Sequence, residues 1–348
     1  MLAALKNVIG AAPDLLLRDG LFLNGKRNRL GRDAYLSRLD FYLDDRHLRN
    51  RRFFGKVPRN APEHRVEERR PCTGGEELLF RFPSSYQPFN PAMVAEVAAF
   101  KRNRDGYLLL RRHEERRPRS LVLCVHGFQM GEPARAKRLF RMQRLFDLGL
   151  DVGLFIQPHH WKRADHPQNP FAQMFINPHD VPLTIEALGQ AVHDLRSTYL
   201  LLEALGYERI ALVGASLGGY VCALHAVCDG SPDFAFVAVP ALRLDHALTP
   251  RRLKLGFRID EEVRSKTSQA LQLVAPANYK PTMSVDDIGV VYHEGDRIAD
   301  AAYTREWIER WRIPHRTALK GGHWAVFDRK ARGRAWYAWL KRYDYIAK

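Results

Sequence analysis

Residues 209–219 read Arg209-Ile210-Ala211-Leu212-Val213-Gly214-Ala215-Ser216-Leu217-Gly218-Gly219, and this stretch decides the fold. Ile210 to Val213 is an apolar run with the length of a buried strand. The residues from Leu217 to Cys228 read as a helix. Between them, Gly214-Ala215-Ser216-Leu217-Gly218 fits the Gly-x-Ser-x-Gly pattern of a sharp strand-to-helix turn. Such a turn forces its serine into a strained backbone conformation. A side chain two positions before or after would strike the neighbouring chain, and glycine removes that collision. The turn also presents the N–H groups that open the next helix, where negative charge is favoured.

The same texture extends outward. Residues 121–125 form a short continuous apolar run, the mark of a strand buried on both faces. A helical segment follows over 133–146, then another apolar run over 152–156. Ile185, Leu188, Val192, Leu195, Tyr199 and Leu202 recur at spacings of three and four, which predicts a helix over 182–205 with Gly206 just past its end. Strands are expected at 234–239, 290–292 and 317–319, and a closing helix at 324–347. Alternating strands and helices predict an α/β fold, a mostly parallel doubly wound sheet covered on both sides. Upstream the pattern is weaker. One or two helices fit 32–54, and a charged, proline-marked connector fits 58–71. Strand-like runs begin near Glu77, with two more at 94–101 and 107–111 joined by an Asp105-Gly106 hairpin turn. Met1 to Leu17 carries Lys6 and Asp14 and reads as a short amphipathic helix rather than a signal peptide.

The 348-residue chain has room for one large core or two modest ones, and its hydrophobic fraction of 46% is ordinary for a globular protein. No apolar run approaches the roughly 20 residues that span a bilayer. The four cysteines, Cys72, Cys124, Cys222 and Cys228, have neither metal-ligand nor disulfide-framework spacing. Free thiols fit a reducing cytoplasm. The net charge of +16 invites an anionic partner. Its arginine runs, at 51–52, 69–70, 111–112, 116–117 and 251–252, lack the interleaved aromatics of a single-strand binder. Scattered solvated charge is the simpler reading; nucleic acid is disfavoured, and peripheral contact with an anionic membrane stays open.

A serine nucleophile needs a base within hydrogen-bond reach, and the base needs an orienting acid. In doubly wound sheets such groups sit beyond the carboxyl ends of strands. Two later strands end suitably. Val291-Tyr292-His293-Glu294-Gly295-Asp296 supplies an acid, and Leu319-Lys320-Gly321-Gly322-His323 supplies a base. His293 and His315 compete with His323 for the base, and Glu294 and Asp245 with Asp296 for the acid. The oxyanion donors expected are the N–H of Leu217 and that of Phe128, with Gln129 as the alternative to Phe128. His126, Gln129, His159, His160 and Trp324 are candidates for lining the pocket. The spacing of His159, His160, His166 and His179 fits no metal motif, so no metal is expected.

Taken together, His126-Gly127-Phe128, the turn at 214–218, Gly295-Asp296-Arg297-Ile298 and Gly321-Gly322-His323 resemble the α/β-hydrolase superfamily over roughly residues 90–345. The segment His159-His160-Trp161-Lys162-Arg163 is similar to the uncharacterised abhydrolase-domain proteins. The resemblance implies a Ser-His-Asp hydrolase without a cofactor, acting on the ester, thioester or amide bond of a small acyl substrate. It also implies a modest lid at 243–278 within a hydrolase domain over 91–348, preceded by a basic extension over 1–90. Two other readings stand beside it: an acyltransferase using an anionic thioester donor, and a non-catalytic binding protein on the hydrolase fold.

Overall fold

The computed structural model describes residues 2–18, 30–54, 58–114, 120–130, 132–165, 175–248 and 253–347. Among them are nine strands: β1 (Arg65–Cys72), β2 (Gly75–Pro83), β3 (Asp105–His113), β4 (Ser120–Val125), β5 (Asp151–Ile156), β6 (Arg209–Ala215), β7 (Phe234–Ala238), β8 (Ile288–His293) and β9 (His315–Leu319). They make one sheet in the order β1-β2-β3-β5-β4-β6-β7-β8-β9. The pairs from β5 through β9 are parallel. The pairs β1–β2, β2–β3 and β3–β5 are antiparallel. The mostly parallel sheet is as expected.

Each central strand divides its side chains between two cores, as period-two geometry requires. Leu121, Leu123 and Val125 of β4 face one core with Ile210 and Leu212 of β6. Val122 and Cys124 face the other with Ala211 and Val213. Helices cover both faces. The eleven in the described residues are α1 (Leu2–Arg18), α2 (Arg32–Tyr42), α3 (Val94–Ala98), α4 (Pro133–Phe140), α5 (Met142–Asp147), α6 (Val181–Ala204), α7 (Leu217–Cys228), α8 (Leu244–Ala247), α9 (Glu261–Ala270), α10 (Ala301–Trp311) and α11 (Arg329–Arg342). Residues of α6, α7 and α10 fill the first core. Residues of α4, α5 and α11 fill the second. Burying each large apolar side chain contributes about 1.5–3 kcal/mol, so two filled faces hold the central strands firmly.

Several sequence expectations need correction. Residues 94–101 are not a strand: they form α3 and lead into a tight turn over Lys101–Arg104. Asn90 caps the preceding turn through Ala92 N–H, and Met93, Phe100 and Leu183 pack together, so tertiary contact overrides strand propensity. Asp105 and Gly106 open β3 rather than turn a hairpin. The hairpin is β1–β2, turning at Thr73-Gly74, with Gly74 at φ +79°. β1 lies within the expected connector; it is an edge strand with mostly exposed residues, so it carries no apolar alternation. The sheet therefore runs across the boundary drawn at residue 90, because β2 pairs with β3 along its whole length. The helix expected over 133–146 breaks at Arg141, which sits at φ +52°. The closing helix starts at Arg329 rather than Trp324, because Asp328 accepts Lys320 N–H and Gly321 bridges to Val326.

Candidate active site

Ser216 stands at the carboxyl end of β6, in the middle of the sheet, with φ 55° and ψ −119°. Its own N–H donates to Ala238 O at 2.9 Å. The glycines make this turn feasible. A Cβ on Gly214 would lie 2.4 Å from Gly218 O, and one on Gly218 would lie 1.9 Å from Val125 O. The backbone strain at the serine is thus held by close packing on both sides.

Two other strand ends bring their side chains to this point. His323 Nε2 lies 3.0 Å from Ser216 Oγ, and His323 Nδ1 lies 2.7 Å from Asp296 Oδ2. Asp296 is buried, and its Oδ1 accepts the N–H groups of Ile298 at 2.9 Å and Ala299 at 2.8 Å. With Nδ1–H donated to that carboxylate, Nε2 is left to accept the serine hydroxyl. Burial works against the His323 imidazolium, but the charge and hydrogen bond of Asp296, helped by the charge of Asp14, outweigh it and raise the pKa above its ordinary value.

The competing residues are engaged elsewhere. Glu294 is held by Lys320 and by Asn7 Nδ2. Asp245 is paired with Arg243 at 2.7 Å. His293 Nδ1 bonds Gly322 O at 2.8 Å, and burial lowers this imidazole to about 4. His315 lies beside Arg342 at 2.6 Å.

The backbone amides differ. The Gln129 N–H donates to His160 Nε2 at 3.3 Å, so it is already used. Among the described residues, no acceptor takes the N–H of Phe128 or Leu217.

A cavity of about 470 Å³ opens at Ser216 and His323. Trp324 lines it, but His126, Gln129, His159 and His160 are not among its lining residues. This corrects the expected pocket. The three histidines lie beneath the sheet end, in a buried network. His126 Nε2 accepts Gln157 N–H at 3.1 Å, and His159 N–H donates to Asn103 Oδ1 at 3.1 Å. Burial pushes His126 down to about 4 and His159 to about 3, and lowers His160 as well. Of the expected lid, Leu244 reaches the cavity wall, while α9 packs against α2 through Arg32 and Asp260. His166, Arg251 and Arg252 lie outside the described residues. His179 is tied to Lys254 O at 2.6 Å. Among the described residues, no group of three or more His, Cys, Asp or Glu is placed to hold a metal ion.

One residue at the site escaped the sequence reading. Asp14, on α1, is fully buried. Its Oδ2 accepts His323 N–H at 2.7 Å and Arg297 N–H at 3.1 Å, and its Oδ1 accepts Trp324 N–H at 3.3 Å. Asn7 Oδ1 accepts Gly321 N–H at 3.1 Å on the same face. The helix sits so close that a Cβ on Gly10 would lie 2.3 Å from Gly322 N. α1 therefore clamps the loops that carry His323 and Asp296. Its sequence signal was slight: an acid interrupting an apolar run, at helical spacing from Asn7 and Gly10.

This sheet, with its strand-end serine, is the α/β-hydrolase fold. The acetyl xylan esterase of Paenibacillus sp. R4 superposes with a TM-score of 0.58 at 13% identity, over 91% of this chain and 98% of that one. Acetyl xylan esterase 1 of Thermoanaerobacterium sp. gives 0.55 at 11% identity, over 93% and 98%. A cold-adapted esterase from an Arctic intertidal metagenomic library gives 0.53 at 12% identity, over 79% and 97%. At such identities the likeness is one of fold. In sequence, the chain is 28% identical over 298 residues to an uncharacterised protein of Mycobacterium tuberculosis, covering 83% of this chain and 70% of that protein. A second uncharacterised protein, from another strain of the same species, is 28% identical over 235 residues, covering 66% of this chain and 55% of its own length. No protein-family model matches the chain.

Proposed function

We propose that the chain is a serine hydrolase of carboxylic esters, acting through Ser216, His323 and Asp296. The observation that carries this reading is the continuous line of hydrogen bonds from Ser216 Oγ through His323 to Asp296 Oδ2, at 3.0 Å and 2.7 Å. His323 takes the serine proton as Oγ attacks the acyl carbon. Asp296 fixes the tautomer and stabilises the imidazolium that forms. The N–H groups of Phe128 and Leu217 receive the developing oxyanion, and losing one such donor typically costs about 10²–10³ in rate. His323 then returns the proton to the leaving group, and the acyl group stays on Ser216. A water molecule, deprotonated by the same imidazole, releases the acid.

The cavity beside Ser216 is lined by apolar side chains, including Ile176, Phe236, Trp324 and Trp336, which suit an apolar acyl group. Hydrolysis of p-nitrophenyl esters of graded acyl length tests the reading. Ser216→Ala should lower kcat by at least about 10³. A variant that keeps full activity would exclude the mechanism.

A further inference from the structure

The same cavity is also lined by Arg138, Arg141, Arg329 and Arg332. No Asp or Glu lines the cavity among the described residues. Among those residues too, none of the four guanidiniums has an acidic partner. Other half-buried arginines of the protein are paired with carboxylates, as in Arg196–Asp229 and Arg243–Asp245. The four come from three places in the chain: Arg138 from the last turn of α4, Arg141 from the break before α5, and Arg329 and Arg332 from the first turn of α11.

The cost of this arrangement falls on Arg332. Arg332 is half-buried, and burial together with the nearby charges of Arg329 and Arg141 lowers its pKa below the ordinary guanidinium value. Cations in the first turn of a helix also oppose its dipole, and the first turn of α11 holds no acid. The nearest carboxylate on that helix, Asp328 at its N-cap, accepts Lys320 N–H at 3.1 Å. An anion in the cavity would relieve the repulsion, meet the amino end of α11, and take paired N–H donors that suit phosphate geometry.

We infer that Arg138, Arg141, Arg329 and Arg332 form a phosphate subsite beside Ser216, so that the substrate is an acyl ester or thioester bearing both an apolar portion and a phosphate. The class of substrate rests on the serine-hydrolase reading, whereas the binding of phosphate does not. The acyl transfer to Ser216 is unchanged: the bond to the leaving oxygen or sulfur breaks, and His323 supplies its proton.

The test has a binding arm and a turnover arm. Octyl phosphate and octanol are titrated calorimetrically into the Ser216→Ala chain and into the same chain carrying Arg141→Gln and Arg329→Gln, both exposed positions. Circular dichroism checks that each is folded. Octyl phosphate should bind at least about tenfold tighter than octanol, and the two arginine substitutions should remove that preference. Equal binding of the two probes, or a preference untouched by the substitutions, overturns the subsite even if neutral esters are cleaved. In the turnover arm, butyryl-coenzyme A is compared with S-butyryl-N-acetylcysteamine, and a lysophosphatidate with its monoacylglycerol. A phosphate preference in either pair, lost with the arginines, supports the substrate class and tells a nucleotide-borne phosphate from a lipid headgroup. Tight octyl phosphate binding with no ester cleaved by the native chain keeps the subsite and overturns the hydrolase reading.

Discussion

His323 faces two carboxylates, and they act on it differently. Asp296 bonds the imidazole at Nδ1, at 2.7 Å. Asp14 bonds the backbone N–H of the same residue, also at 2.7 Å. Both charges favour the imidazolium, against the burial that opposes it. A base is active when neutral, so a raised pKa moves the acid limb of the kcat/KM profile to higher pH. Asp14→Asn removes one of those charges while keeping an acceptor. The expected result is an acid limb displaced toward lower pH, with kcat lowered by roughly tenfold at the plateau through looser positioning. A purely structural role would lower the plateau and leave the limb in place. Ser216 and Asp296 were named from the sequence because each sits in a glycine-marked turn after an apolar strand, and His323 because it follows Gly321-Gly322 beyond β9. Asp14 was not, because nothing local announces a contact made across 309 positions of chain.

Among the elements, the loop after β5 shows why residue type alone misplaced the pocket. His159 and His160 follow a strand end, as pocket residues do, yet they turn inward. Arg163 explains this. It is completely buried, bonds Asp194 of α6, and donates to Ile156 O at 3.0 Å and Asn103 O at 3.3 Å. Asp194 also accepts from Ser84 Oγ at 2.6 Å. This network ties β5, α6 and the segments before β3 into one unit and draws the histidines beneath the sheet end. Removing one partner of a buried pair leaves the other charge uncompensated. Arg163→Ala should therefore destabilise the fold by about 3–5 kcal/mol in denaturant unfolding. A change below about 1 kcal/mol would show that the pair does not hold this corner. The central strands β4 to β8 were readable because burial on both faces makes them nearly continuously apolar. β1 and α3 were not: one is an exposed edge, and the other is decided by contact with Met93, Phe100 and Leu183.

For the molecule as a whole, acid sensitivity follows from its buried histidines. Burial holds His126, His225 and His293 at about 4 and His159 at about 3, against about 6.5 unfolded. A base with a depressed folded pKa stays neutral in the fold and takes up a proton on unfolding. Its contribution is complete above about pH 6.5 and is lost as pH falls toward about 4. Each such group contributes up to about 1.4 kcal/mol per pH unit in that window. His323 has the opposite sign, and one raised group does not offset the several lowered ones. The denaturant midpoint should fall clearly between about pH 7 and about pH 5. A midpoint that is level or rises would show these imidazoles to be charged in the fold. At this scale a mostly parallel sheet covered on both faces could be anticipated from strand–helix alternation, but the antiparallel ribbon β1–β3 could not.

Everything proposed for the chemistry converges on one oxygen atom. The most direct test is to treat the folded chain with a fluorophosphonate probe and map the adduct by mass spectrometry. The account predicts a single stoichiometric adduct on Ser216, abolished by Ser216→Ala and strongly slowed by His323→Ala. A folded chain left unlabelled, or one labelled equally after His323 is removed, would contradict it.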